Sequence, residues 1–187
     1  MRKAWIALTA TAVVATAVPV SAQDSMTGTA TMDRHGYAEP CAQVGWTGTM
    51  EIDGQGDLDG TYGYAFFKGE DMPGAVFADG WIWWAEYFSL YDGLFERDAD
   101  GLLVSCEPGP ALLHGYDSGV GLTDGVFWDT GYIIDASGPF EAMEGARADH
   151  LGMFDVFHDE ATLPDGNPAP IGFTVDLTVQ PVIEPSQ

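Results

Sequence analysis

Three acidic residues interrupt apolar alternations, and a carboxylic acid in such a position can move protons. Glu86 lies in the run Trp81-Ile82-Trp83-Trp84-Ala85-Glu86-Tyr87-Phe88 and shares a strand face with Ile82, Trp84, Phe88 and Leu90. Asp129 shares a face with Phe127 and Ile133, and Asp155 with Leu151, Met153 and Phe157. An acid on an apolar wall keeps its proton to higher pH unless it is paired, which suits general acid or base work on an apolar substrate. A buried ion pair to Arg97 or Arg147, or an outward-facing acid, explains the same residues. The aromatic density around these acids makes Trp84, Phe88, Trp128 and Tyr132 candidate ligand contacts, against a competing role in plain core packing.

Other constellations point to chemistry less directly. Glu96, Asp98, Asp100, Gly101 and Glu107 have the spacing of an EF-hand calcium loop, but Val104 stands at the ninth position and Pro108 and Pro110 forbid an exiting helix. A hairpin with an Asp-Ala-Asp-Gly turn accounts for them without an ion. His150 and His158 share a face of one predicted strand, where about 26 Å separates them, too far to share one ion on a straight strand. The segment His114-Gly115-Tyr116-Asp117-Ser118-Gly119 lacks the glycine pattern of a nucleophile elbow and reads as a glycine-rich turn. No metal and no cofactor is expected.

The elements that must position these residues are short. Asp-Gly pairs at 53–54, 59–60, 79–80, 92–93, 100–101, 124–125 and 165–166 punctuate aromatic and β-branched runs, and no long stretch has a helical period. Strands are predicted at about 42–53, 61–68, 75–78, 81–91, 102–106, 126–135, 146–157 and 172–182. In the last, Phe173, Val175, Leu177 and Val179 alternate with Thr174, Asp176, Thr178 and Gln180, so one face meets a core and the other water. In the Trp81–Tyr91 run both faces are apolar, and the set with Glu86 is the more uniform inner face. The fold class is all-β: a single antiparallel barrel of about eight strands.

Residues 126–157, VFWDTGYIIDASGPFEAMEGARADHLGMFDVF, read as strand, tight glycine turn, short loop and strand. This stretch resembles the dirigent and allene oxide cyclase type of barrel, in which a Thr-Gly-x-Phe-x-Gly-Ala-x-Gly turn joins two strands. Ser137 stands for the threonine, Gly138, Phe140 and Gly145 match, and Ala142 and Met143 depart from the Gly-Ala pair. The resemblance implies an architecture whose members include cyclases, stereochemical guides and secreted bacterial proteins. It carries no catalytic residue onto this chain.

Composition sets the compartment and the partners. Arg2 and Lys3, an apolar run to Val20 and the small residues Ser21-Ala22 form a predicted signal peptide over 1–22, followed by a polar N-terminal arm over 23–40 and the barrel domain over 41–187. Removing the leader takes the formal net charge from −23 to −25. Such a surface repels nucleic acid and anionic membranes, and screening by salt relieves its self-repulsion. No membrane association is expected after cleavage, since the last strand carries polar residues where an outer-membrane barrel would be apolar. Cys41 and Cys106, an even pair in an exported chain, are expected to form a disulfide. The sequence therefore points to a periplasmic or secreted acidic barrel that binds a small apolar or aromatic ligand. Its alternatives are a cofactor-independent isomerase or cyclase using an interior carboxylate and a calcium-binding extracellular module, and the oligomeric state stays open.

Overall fold

The computed structural model describes residues 25–34, 41, 43–68, 75–164 and 166–180. The predicted leader lies outside them, as do residues 23–24 and 35–40 of the predicted arm. Among the described residues nine strands follow in order: β1 (Met26–Arg34), β2 (Val44–Ile52), β3 (Gly60–Phe67), β4 (Val76–Ala78), β5 (Trp81–Tyr91), β6 (Ala111–Leu122), β7 (Val126–Ala136), β8 (Arg147–Thr162) and β9 (Pro168–Gln180). All pairings are antiparallel, in the order β3-β2-β1-β9-β8-β7-β6-β5, and β3 pairs with β5 to close an eight-stranded barrel. Closure leaves β3 only the Tyr87–Tyr91 half of β5, and short β4 takes the Trp81–Trp83 half of the same edge.

The Asp-Gly pairs mark where the chain turns. At the β4–β5 hairpin both Asp79 (φ 53°) and Gly80 (φ 81°) are left-handed, the conformation that matches a two-residue loop to the strand twist. Asp124-Gly125 turns β6 into β7. The predicted N-terminal arm is corrected: residues 26–34 form β1, which fills the barrel wall between β2 and β9 with Met26, Ala30 and Met32 buried. Its alternation was weak to the eye because its inward side chains are small or flexible.

The second correction concerns β6. Residues 111–122 form a strand, and 102–106 do not; there only an isolated bridge joins Arg97 to Leu103. The glycines that suggest a turn, Gly115 and Gly119, occupy inward positions of β6 next to the rings of Phe88 and Trp84. A Cβ on Gly115 would lie 2.3 Å from the Phe88 ring, and one on Gly152 of β8 would lie 2.1 Å from the Phe127 ring. These positions are glycine because aromatic rings fill the space a side chain would take.

One barrel end is filled. A 3-10 turn over Gly138–Met143 seats Phe140 and Met143 against the core, with Phe140 edge-on to Tyr62. Outside the wall, a second cluster of Val44, Ala65, Tyr91 and Leu103 surrounds the Cys41–Cys106 disulfide. Closing that 65-residue separation stabilises by about 4 kcal/mol in the chain-entropy model.

A Cβ at Gly152 would overlap the buried Phe127 ring, which would have to shift to admit it. Gly152→Ala should lower stability by about 1–3 kcal/mol in chemical denaturation, whereas Ser118→Ala on the exposed face of β6 should leave the midpoint unchanged.

Candidate functional site

Four neighbouring strands each turn one ionisable side chain into the barrel. Glu86 of β5 stands opposite Asp117 of β6 in register, and Asp129 of β7 stands opposite His150 of β8. Asp117, Asp129 and His150 are all buried. His150 Nδ1 is hydrogen-bonded to Asp129 Oδ1 and lies 3.4 Å from Asp117 Oδ2. From across the barrel, the Tyr64 hydroxyl of β3 meets His150 Nε2 at 2.6 Å. Phe88 and Phe66 hold the imidazole edge-on, with ring centroids 4.9 and 5.4 Å away. The result is a polar belt across an apolar barrel, with its tautomer set by its partners. Nδ1 faces carboxylate oxygens and carries a hydrogen, which leaves Nε2 to face the Tyr64 oxygen.

Besides His150 the belt has no basic side chain: no lysine or arginine enters it among the described residues. Arg97 donates to Gly101 and Thr47 on the outer surface, and Arg147 is bound to Asp149 and Thr130. Burial therefore acts on the acids almost unopposed. It pushes the Glu86 carboxyl well above the usual range, with the Asp129 charge adding to the effect. Burial does the same to Asp117, followed by Asp129 and Glu86. The Tyr64 phenol is held protonated by burial and then by the three acids around it. Both carboxylate oxygens of Asp117 lack a hydrogen-bond partner.

Above the belt the barrel is hollow. A cavity of about 560 Å³ is walled by Trp46, Phe66, Phe77, Trp84, Phe127, Phe154 and Phe173 together with Ile82 and Pro170. Glu86 and Asp129 form part of its surface, so the accessible part of Glu86 opens into this space. Trp84 Nε1 is buried on the same wall with no acceptor. Arg34 and Lys68, two of the chain's six basic residues, also line the cavity where β1 and β3 end, and the Arg34 guanidinium lies 6.0 Å from the Trp46 ring.

Of the candidate acids, Glu86 and Asp129 meet at this cavity. Asp155 does not: it is exposed and accepts a hydrogen bond from Thr174. The inward residues of β8 are Ala148, His150, Gly152 and Phe154, and a bulge between Phe154 and Val156 breaks the alternation just after them. Of the candidate ligand contacts, Trp84 lines the cavity and Phe88 packs fully buried beneath it. Trp128 and Tyr132 are corrected to the exterior, 49% and 51% exposed, because Phe127, Asp129 and Ile133 take the inward positions of β7. Trp128 meets Trp81 there instead.

His150 and Asp117 were not read from sequence as partners of the inner acids. Measured against His158, His150 looked like one of two strand histidines; its small neighbours Ala148 and Gly152 were the available sign of a crowded interior. His158 is exposed, and its Nδ1 accepts the backbone N–H groups of Glu160 and Ala161. Ser118, next to Asp117, points to the opposite face. In the calcium-like loop, Asp98 Oδ1 accepts the N–H groups of Asp100 and Leu102, and Arg97 reaches the Gly101 carbonyl.

No family model matches the sequence, and comparison with curated proteins and with solved structures also yields no match. The site therefore has to be read from its own chemistry.

A raised folded-state pKa favours the folded state most in acid, below the unfolded value of about 4.3. That advantage is lost as pH rises through the folded value. Glu86→Gln cannot ionise, so in EDTA-containing buffer its stability should gain steadily on the wild type as pH climbs from about 4 to 8. Parallel wild-type and variant unfolding curves across that range would mean that Glu86 is solvated.

Proposed function

We propose that the protein is an exported barrel that binds a small, largely aromatic or apolar ligand in the cavity above the polar belt. The observation that carries this reading is the aromatic-walled space of about 560 Å³, within the size range of small-molecule sites, with few polar groups converging on it. Trp84 Nε1 offers a donor without an acceptor, and the mouth carries Arg34 and Lys68 on an otherwise acidic chain. A ligand with an apolar body and one acidic end suits that distribution. Export is part of the same proposal: it rests on the leader-like residues 1–22, and the Cys41–Cys106 disulfide is compatible with an oxidising compartment. Among the described residues no helix is long and apolar enough to cross a membrane. The likeness of residues 126–157 to dirigent and allene oxide cyclase barrels belongs to this proposal as an architectural hint only.

A second reading is favoured by one observation, the proton-holding Glu86 carboxyl on the cavity wall beside Asp129. In that reading the protein is an isomerase or cyclase in which Glu86 donates a proton to the bound substrate, Asp129 stabilises the positive charge that develops, and the Glu86 carboxylate takes a proton back as product forms.

Titration with 2-naphthoate, followed by Trp fluorescence, tests the binding reading. Saturable binding tighter than that of 2-naphthalenemethanol is expected, with at least a tenfold loss in Ile82→Trp, which fills the cavity. Absence of saturable binding to either compound, or equal affinity in a folded Ile82→Trp variant, contradicts it.

A further inference from the structure

Three carboxyl groups and one imidazole share the interior of the barrel, and no lysine or arginine reaches them among the described residues. A buried acid without a partner is unfavourable unless it stays neutral or a cation compensates it. Asp117 is the extreme case. Its side chain is fully buried, neither oxygen has a hydrogen-bond partner, and Oδ2 points at His150 Nδ1 from 3.4 Å.

We propose that Asp117, Asp129 and His150 form a binding site for one divalent transition-metal ion, of the zinc class, at the floor of the cavity. One ligand atom from each residue lies within 4.8 Å of the other two. A tetrahedral ion with bonds of about 2.0–2.1 Å spaces its ligand atoms by about 3.3–3.4 Å. The Asp117–His150 separation of 3.4 Å has that length. Asp129, which hydrogen-bonds the same nitrogen, has only to move outward as the metal replaces the Nδ1 hydrogen.

The surroundings suit a metal-bound imidazole. A ligating histidine usually gives its other N–H to an oxygen that fixes the ring, and Tyr64 Oη lies 2.6 Å from Nε2 to accept it. Phe66, Phe88 and Tyr64 pack around the ring and keep it from turning. One nitrogen with two carboxylates selects a zinc-like ion over magnesium or calcium, which take all-oxygen sets. Asp129 lines the cavity, so an ion bound to it would border that space and could take its fourth ligand from there. Three protein ligands with one open position characterise catalytic rather than purely structural zinc sites. The inference stands whether or not the cavity takes an aromatic ligand.

The test uses the full mature chain, stripped with EDTA and titrated with ZnCl₂ by calorimetry and with CoCl₂ by visible absorption. Millimolar Mg²⁺ in molar NaCl suppresses loose binding to surface acids. One equivalent of Zn²⁺ and a visible Co²⁺ band of a four- or five-coordinate site are expected. Asp117→Asn, nearly the same shape, should weaken Zn²⁺ by about 100-fold. A wild-type protein that takes up no stoichiometric Zn²⁺ overturns the proposal, as does a folded Asp117→Asn variant that binds as tightly as wild type. If that variant fails to fold, paramagnetic broadening by Co²⁺ in the wild type decides. Broadening centred on His150 supports the site, and broadening confined to surface acids overturns it.

Discussion

The constraint on which the rest of the structure depends is the burial of three acids in a barrel where, among the described residues, one histidine and no lysine or arginine meets them. Glu86, Asp117 and Asp129 lie inward on three consecutive strands, and Asp117 and Asp129 meet His150 of the fourth. Each could have been an outward residue by a one-position shift of register, because strand alternation has a period of two. The apolar faces on either side of each acid prevent that shift. Ile82, Trp84, Phe88 and Leu90 hold β5, while Phe127 and Ile133 hold β7. The hydrophobic core thus keeps the polar belt where solvation alone would never leave it. That is the arrangement expected of a site in which groups are held away from water for a chemical purpose.

Room for the belt comes from glycine. Gly115, Gly119, Gly131 and Gly152 line the same strands at inward positions, and each would place a Cβ within 3 Å of a ring, a side chain or a backbone atom. Large rings from one strand therefore enter the space left by the next, and the belt is sandwiched between aromatic layers. Below it, Phe140 and Met143 fill the barrel; above it, aromatic side chains stand back around the cavity. This asymmetry leaves the barrel with one filled end and one hollow end. The acidic exterior, with Arg34 and Lys68 gathered at the cavity, gives the hollow end its own electrostatic character.

Much of this was legible in the residue pattern, for physical reasons that also explain the failures. The barrel class and the placement of β5 followed from Asp-Gly turns and from the uniform apolar set around Glu86. The disulfide followed from a lone cysteine pair. The strand β6 was read as a turn because glycine signals flexibility locally, and only the rings of β5 and β7 show why it is there. Residues 26–34 were set aside as an arm because threonine, methionine and alanine alternate too weakly to announce a buried face. Asp155 was misplaced because a bulge in β8 cannot be read from alternation, and Trp128 and Tyr132 because large aromatics on an exposed face look like wall residues. The Asp117–His150 contact joins positions 33 residues apart across two strands, and no local period carries such information.

The central claim is that His150 is held buried between carboxylates on one nitrogen and a phenol on the other. Proton NMR of the ¹⁵N-histidine-labelled, EDTA-treated protein tests it most directly. The account predicts one imidazole N–H resonance, assigned to His150, that lies far downfield and exchanges slowly with solvent, and that moves upfield in Asp129→Asn. A His150 ring N–H that exchanges with solvent as fast as that of exposed His158 would contradict it.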